Sequence, residues 1–185
     1  GKPGLLLSSA CPTAVDYIRK YIPRLASNIT PVGSPLMAHC RLLRDTFGND
    51  IRVVFVGPCI SKKNEADRNP ALLNLAITYP ELKQLLRENK IEPERLTPEE
   101  DDRFIPETAE EGAQYPVEGG MNDTIQFQSR NKRVHYFTLT GLDNLKLALD
   151  GLDDIPEDEI IFIETLACPG GCVHGPCTEH DSPGL

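Results

Sequence analysis

Three short apolar runs in this chain each lead into a cysteine with a proline beside it. Leu5-Leu6-Leu7 runs to Cys11-Pro12, Ile51 through Val56 runs to Pro58-Cys59, and Ile160-Ile161-Phe162-Ile163 runs to Cys168-Pro169. Apolar runs of this length, bounded by turn residues, are expected to be buried strands. Helical patterns separate them, so the expected fold class is α/β, with mainly parallel sheet(s) flanked by helices. In open α/β sheets the binding crevice lies beyond the carboxyl ends of the strands. Parallel strands would therefore bring Cys11, Cys59 and Cys168 to one edge, with Cys172 close behind in a Cys-x3-Cys pair.

The remaining pattern fills in around these runs. Pro12 suits the first turn of a helix carrying Ala14, Val15, Ile18, Tyr21 and Ile22, and Pro23 ends or bends it. Residues 24–34 read as loop with one strand-like pair, Ile29-Thr30. Ser34 caps a second helix, with Pro35 in its first turn and Leu36, Met37, Cys40, Leu43 and Phe47 along it. Ile51 to Val56 is nearly all apolar and is expected to be a central strand. A polar segment follows from Ile60 to Asn69. Pro80 opens a helix striped with Leu82, Leu85 and Leu86. Residues 92–120 are acidic and Pro-rich, then turn-rich. They read as an insertion-like surface segment, with Glu99-Glu100-Asp101-Asp102 as solvated charge, in one domain spanning 1–185. Arg133 to Thr140 is expected to be a strand and Gly141 to Leu149 a helix, with Ile155-Pro156 leading into the last strand. The chain opens on Gly1-Lys2-Pro3-Gly4 and ends on Asp181-Ser182-Pro183-Gly184-Leu185, which suggests a domain excised from a longer protein.

Composition narrows the chemistry. A formal net charge of -9 disfavours a nucleic-acid partner, and no apolar run approaches the length of a membrane span. With no secretory pattern at its start, the chain is expected to be cytoplasmic. Six cysteines allow a disulfide framework, but a chain of 185 residues does not need staples, so metal or cluster binding is preferred. Four thiolates suit either zinc or a [4Fe-4S] cluster. Zinc sites more often show two short Cys pairs. Two single cysteines plus one Cys-x3-Cys, dispersed over the whole domain, suit a larger cluster better. Gly170-Gly171, between two of the candidate ligands, would let the backbone pass close to a bulky inorganic group. Lys62 and Glu65 follow Cys59 at short spacing. Lys62 reads equally as a binder of anionic cofactor ligands or as an exposed helix-surface lysine.

Taken together, these segments resemble the catalytic large-subunit domain of [FeFe] hydrogenases. Ser8-Ser9-Ala10-Cys11-Pro12 is similar to the first signature motif of that family. Gly57-Pro58-Cys59-Ile60-Ser61-Lys62-Lys63-Asn64-Glu65 is similar to the second, and Glu164 through Cys172 to the third. Gly33-Ser34-Pro35-Leu36-Met37 resembles the Ser-Pro segment between the first two. The resemblance implies a two-lobed, incomplete Fe-only hydrogenase-like arrangement. It also implies an H-cluster, a [4Fe-4S] cubane joined through a cysteine sulfur to a two-iron subcluster, which is lost or degraded in protein prepared in air. By motif position, Cys11, Cys59, Cys168 and Cys172 would be the metal ligands. Cys172 would bridge to the two-iron site, and Lys62 would contact a cyanide ligand. Ser9, Ala10, Pro58, Glu65, Leu166, Gly170 and Gly171 would complete the cofactor surroundings.

The chain also departs from that family. The first motif usually carries a proton-relaying cysteine where Ala10 stands, so low turnover is expected. The usual methionines of the second and third motifs are Gly57 and Leu166. His174 and Cys177 stand where a glycine run is common, and read either as a replacement proton route or redox thiol or as tolerated surface residues. These departures resemble the sensory, PAS-linked branch of anaerobic bacteria, in which the domain reports hydrogen or redox state. The implied partners are H2 and protons, ferredoxin-like cluster domains, a downstream PAS or signalling domain, and hydrogenase maturation factors. A non-catalytic iron–sulfur binding or cluster-assembly module is the alternative, and a zinc or thiol-redox domain a further one.

Overall fold

The computed structural model describes residues 4–99, 102, 104, 109–128, 133–152, 156 and 158–178. The chain ends at Gly1 to Pro3 and Asp181 to Leu185, and the positions Glu100, Asp101 and Ile155 discussed above, lie outside the described residues. Leu5–Leu7 forms β1, and its hydrophobic residues alternate between the core and the outside. Pro12–Tyr21 forms α1, with Pro12 in its first turn and Ala14, Val15 and Ile18 buried. Pro35–Phe47 forms α2, whose first turn donates the Met37 N–H to Ser34 Oγ as the sequence predicts. Val54–Gly57 is β2, Ser61–Arg68 α3, Leu75–Thr78 β3 and Tyr79–Glu88 α4. Gly120–Gln128 is α5, Val134–Thr140 β4, Leu142–Asp150 α6 and Ile160–Leu166 β5.

Among the described residues the strands form two parallel sheets, β1-β5-β4 and β2-β3. The three-stranded sheet is covered on both faces. Leu5, Leu7 and Ile163 point into one core with Val15 and Ile18 of α1 and Leu145 and Leu149 of α6. Successive strand residues face opposite ways, so Phe162 and Glu164 face the other side, where α5 lies against β4. The Ile29-Thr30 pair does extend this sheet as a single bridge: Ile29 pairs with Leu7, and Thr30 N–H donates to Leu7 O at 2.8 Å. The second core gathers Met37 and Cys40 of α2 with Val53, Ala66, Leu73 and Ala76. Cys40 is thus a core side chain.

One sequence expectation needs correction. The run from Ile51 to Val56 is not a central strand. β2 starts only at Val54, pairs with β3 alone among the described residues, and leaves Val54 49% exposed. Its apolar character serves a sheet packed on one face. The polar segment after Cys59 is helical, and α3 buries only Lys62 and Ala66. Two elements, β3 and α5, had no clear signal. Among the described residues no helix is long and apolar enough to cross a membrane.

Candidate cluster site at the strand ends

Each sheet delivers its cysteines at strand carboxyl ends. Cys11 follows β1 as the residue before α1 and packs with Ala14 and Leu166. Cys168 follows β5, and Cys172 opens the 3-10 turn Cys172–His174. Cys59 comes from the other sheet, after β2, and its carbonyl accepts the Lys62 N–H at 3.3 Å. The convergence expected for one sheet edge is made across two sheets.

All six cysteines are free thiols. The candidate four lie close enough to act on one another electrostatically. Burial pushes the Cys172 thiol up to about 12, and Cys11, Cys59 and Cys168 add to the rise, while Lys62 opposes it. Burial also raises Cys168, reinforced by Cys11 and Cys59. Burial raises Cys59 as well, against the opposing backbone N–H groups of Lys62 and Ser61. Desolvation disfavours the charged thiolate, and neighbouring thiolates disfavour it further. Among the described residues, however, no three His, Cys, Asp or Glu side chains gather as the ligands of a single metal ion. Of the four, Cys59 and Cys172 line a common cavity.

Beside them lies a cavity of about 640 Å³ with a mainly apolar lining. Ala10, Pro58, Cys59, Lys62, Leu166 and Cys172 line it, together with Phe55, Tyr115, Pro116 and Met121. Lys62 is buried, which decides between the two sequence readings of it: the side chain points inward. Its Nζ donates to Glu65 Oε2 at 2.6 Å, with Ser34 Oγ and Ala10 O at 3.4 and 3.5 Å. Ser9 and Glu65 line a separate, polar cleft with Asp16, Arg19 and Arg68.

Gly170 and Gly171 also serve the packing of the loop on the protein. Both have positive φ, at 76° and 97°. A Cβ on Gly171 would fall 2.5 Å from Pro116 O, and one on Gly170 would fall 2.7 Å from the His174 ring. Both glycines approach neighbouring protein atoms closely. Gly171 pairs with Val117 in an antiparallel bridge, Glu118 N–H donates to Gly170 O, and Val173 N–H donates to Pro116 O. The end of the acidic segment thereby docks on the third motif and carries Tyr115 and Pro116 to the cavity. The Cys177 N–H donates to Pro58 O at 3.1 Å, tying the segment after the third motif to the second. A methionine at Gly57 would require the Phe55 ring to move, because the ring tip lies 2.5 Å from where its Cβ would be.

Sequence reasoning missed Met121, Tyr115, Pro116 and Phe55 as cavity residues. Met121 had a usable signal in the preceding Gly119-Gly120 turn. The other three depend on tertiary docking.

Residues 1–176 match the family model described as iron only hydrogenase large subunit, C-terminal domain. The chain is 27% identical to Iron hydrogenase 1 of Clostridium pasteurianum over 98% of its own length and 39% of that protein. It is 32% identical to a cytosolic Fe-S cluster assembly factor NAR1 homolog of Schizosaccharomyces japonicus, over 70% of its own length and 26% of that one. Its fold matches that of a variant of the [FeFe]-hydrogenase HydA1 from Chlamydomonas reinhardtii, with a TM-score of 0.67 at 20% identity. That match covers 98% of this chain and 63% of the other. The [FeFe]-hydrogenase HydA(deltaEFG) gives a TM-score of 0.65 at 19% identity over the same shares. The chain thus spans about two fifths or less of the length of the curated relatives it matches. With a parallel α/β fold, the three motifs at its strand ends and a family match over nearly its whole length, the chain belongs to the family formed by the C-terminal domain of the iron-only hydrogenase large subunit.

Proposed function

We propose that this domain holds an H-cluster and reports hydrogen or redox state with low turnover. The observation that carries this reading is the juxtaposition of four neighbouring cysteines at strand ends with an apolar cavity that contains a buried ammonium. The residues present suit the group. Cys11, Cys59, Cys168 and Cys172 are soft thiolate donors brought together from the ends of three strands, and four such donors from separate loops suit a multi-iron cubane. Cys172 is coupled to the other three and also lines the cavity, which suits the bridging place. Lys62, with Glu65 behind it, presents a positive head that suits an anionic cyanide ligand. The bound cluster would supply an iron coordination site for splitting or forming hydrogen. Its thiols must lose their protons as it loads, because thiolates are the ligands.

The chain's own residues set the rate. Ala10 lines the cavity, and its methyl group cannot pass a proton. Ala10→Cys is expected to raise hydrogen turnover by about 10²–10⁴-fold. An unchanged rate in fully loaded protein would remove the relay argument. A sensing role, with ferredoxin-like domains for electrons, a signalling domain for output and maturation factors for loading, belongs to this same reading.

The primary test is anaerobic reconstitution with iron and sulfide, then with a synthetic two-iron cofactor. Infrared CO and cyanide bands are expected. Their absence in protein that carries a cubane would overturn this reading in favour of an iron–sulfur binding or cluster-assembly module. The 32% identity to a protein named as a cluster assembly factor favours that second reading.

A further inference from the structure

Glu164, in the third motif, has no solvent exposure and is the only fully buried carboxylate among the described residues. It sits on the face of β5 opposite Ile163, under the start of α5. Its Oε1 accepts the Met121 N–H at 3.4 Å, and its Oε2 accepts the Thr138 hydroxyl at 3.2 Å. The N–H groups of Gly119 and Asn122 also point at it. The first N–H groups of a helix have no partner inside the helix, and a carboxylate there satisfies several at once. Asn122 Nδ2 donates to both Thr138 Oγ1 and Phe137 O at 2.8 Å, so the cap is anchored to β4 as well. Burial raises the Glu164 carboxyl and these donors oppose the rise.

The residue held at the centre of this cap is Met121. Its main chain is tied to Glu164. Its sulfur lies 3.6 Å from the Ser8 hydroxyl, which donates to it. Ser8 is itself fixed: its N–H donates to Ile163 O, its carbonyl accepts the Thr165 hydroxyl, and its own Oγ accepts the Ala10 N–H. Met121 is thus held at its main chain and at its sulfur, by residues of the third and first motifs. It lines the cavity beside Ala10, Leu166 and Cys172. The chain has two methionines, and the other, Met37, belongs to the second core.

We propose that Glu164 is a positioning residue that clamps the first turn of α5, so that the Met121 thioether forms a fixed wall of the cofactor cavity. The inference rests on the reading of that cavity as a cluster chamber. A thioether is apolar and polarisable, so it can keep water out while packing against an irregular inorganic surface. An ordinary methionine would adapt its three rotatable bonds to whatever it meets. This one is held at backbone and sulfur before any cofactor arrives.

Two measurements test the proposal. The first is hydrogen exchange at the amides of residues 119–122 in the unloaded full chain. Glu164→Ala is expected to speed exchange there by about tenfold. Glu164→Gln, which keeps one acceptor oxygen, should speed it less. Unchanged protection in both variants overturns the clamp. The second uses anaerobic protein loaded with the synthetic two-iron cofactor. Glu164→Gln and Met121→Leu should move the infrared CO and cyanide bands relative to the unsubstituted chain, whereas Leu147→Ala on the exposed face of α6 should not. Bands present and unmoved by Met121→Leu overturn the wall. If unsubstituted, iron-loaded protein gives no such bands, the H-cluster reading itself fails together with the wall. The exchange experiment then still decides the clamp. If Glu164→Ala does not fold, Glu164→Gln and Met121→Leu carry both arms.

Discussion

In the three-stranded lobe, β5 is hydrogen-bonded on both sides and buries its last four residues, Ile163 to Leu166, so the loop with Cys168 and Cys172 leaves from a fixed point. In the two-stranded lobe, β2 leaves Val54 half exposed and is paired on one side among the described residues. The loop with Cys59 is held there by side chains and by a neighbouring loop: the buried Lys62–Glu65 pair, and the Cys177 N–H on Pro58 O. The comparison separates two ways of placing a ligand. Main-chain packing sets the first and forbids added atoms. Charge pairing sets the second and forbids removing a partner.

The largest test of this contrast is Lys62→Met. Lys62 and Glu65 expose only 10% and 12% of their side chains, so deleting the ammonium strands a buried carboxylate. A loss of about 3–5 kcal/mol is expected, read from the denaturant midpoint of unloaded protein. Equal stability would mean that Lys62 does not hold the second lobe. Next in size is Gly171→Ala, which places a methyl group against Pro116 O and asks an alanine to adopt a φ of 97°. About 1–3 kcal/mol is expected, with loosened exchange protection at residues 116–118. A tolerated alanine would show that the third-motif loop is not fixed by main-chain packing.

The smallest effect concerns the far side of the second lobe. There Glu81 closes a capping box with Thr78 and bonds Lys63. The Lys63 ammonium, then the Thr78 N–H and hydroxyl, hold its carboxyl at about 2, below the ordinary value of 4.5. A depressed carboxyl contributes stability that is complete above the unfolded value and is lost as pH falls towards the folded one. The stability gap between unsubstituted protein and Glu81→Gln should therefore be constant above about pH 5 and close between about 4.5 and 2. A gap that does not change over that range would mean that the Glu81 contacts do not persist in solution.

Much of the first lobe was legible in the sequence. Pro12 with Ala14, Val15 and Ile18 announces α1, and Ile160 to Ile163 announces β5, because local pattern and tertiary burial agree there. The second lobe was less legible. β3 is only four residues long, and its last residue, Thr78, doubles as the cap of α4. The helix α3 has no apolar stripe. The helix α5 opens with a glycine and polar residues, and its first turn is satisfied by Glu164, which is distant in sequence. Of the candidate site, the four cysteines, Lys62 and the cavity residues Ala10, Pro58 and Leu166 could be named from motif position. Tyr115 and Pro116 could not, since they reach the cavity through a bridge between Val117 and Gly171 that no local pattern encodes.

The Phe55 ring over Gly57 has a consequence for how this site can change. The ring occupies the volume that any side chain at position 57 would need, and both residues face the cavity. The sizes of the two residues are therefore coupled. A larger residue at 57 collides with the ring, and a smaller residue at 55 leaves a hole over the glycine. A chamber with a longer side chain at 57 therefore needs the Phe55 ring turned aside or replaced by a smaller residue.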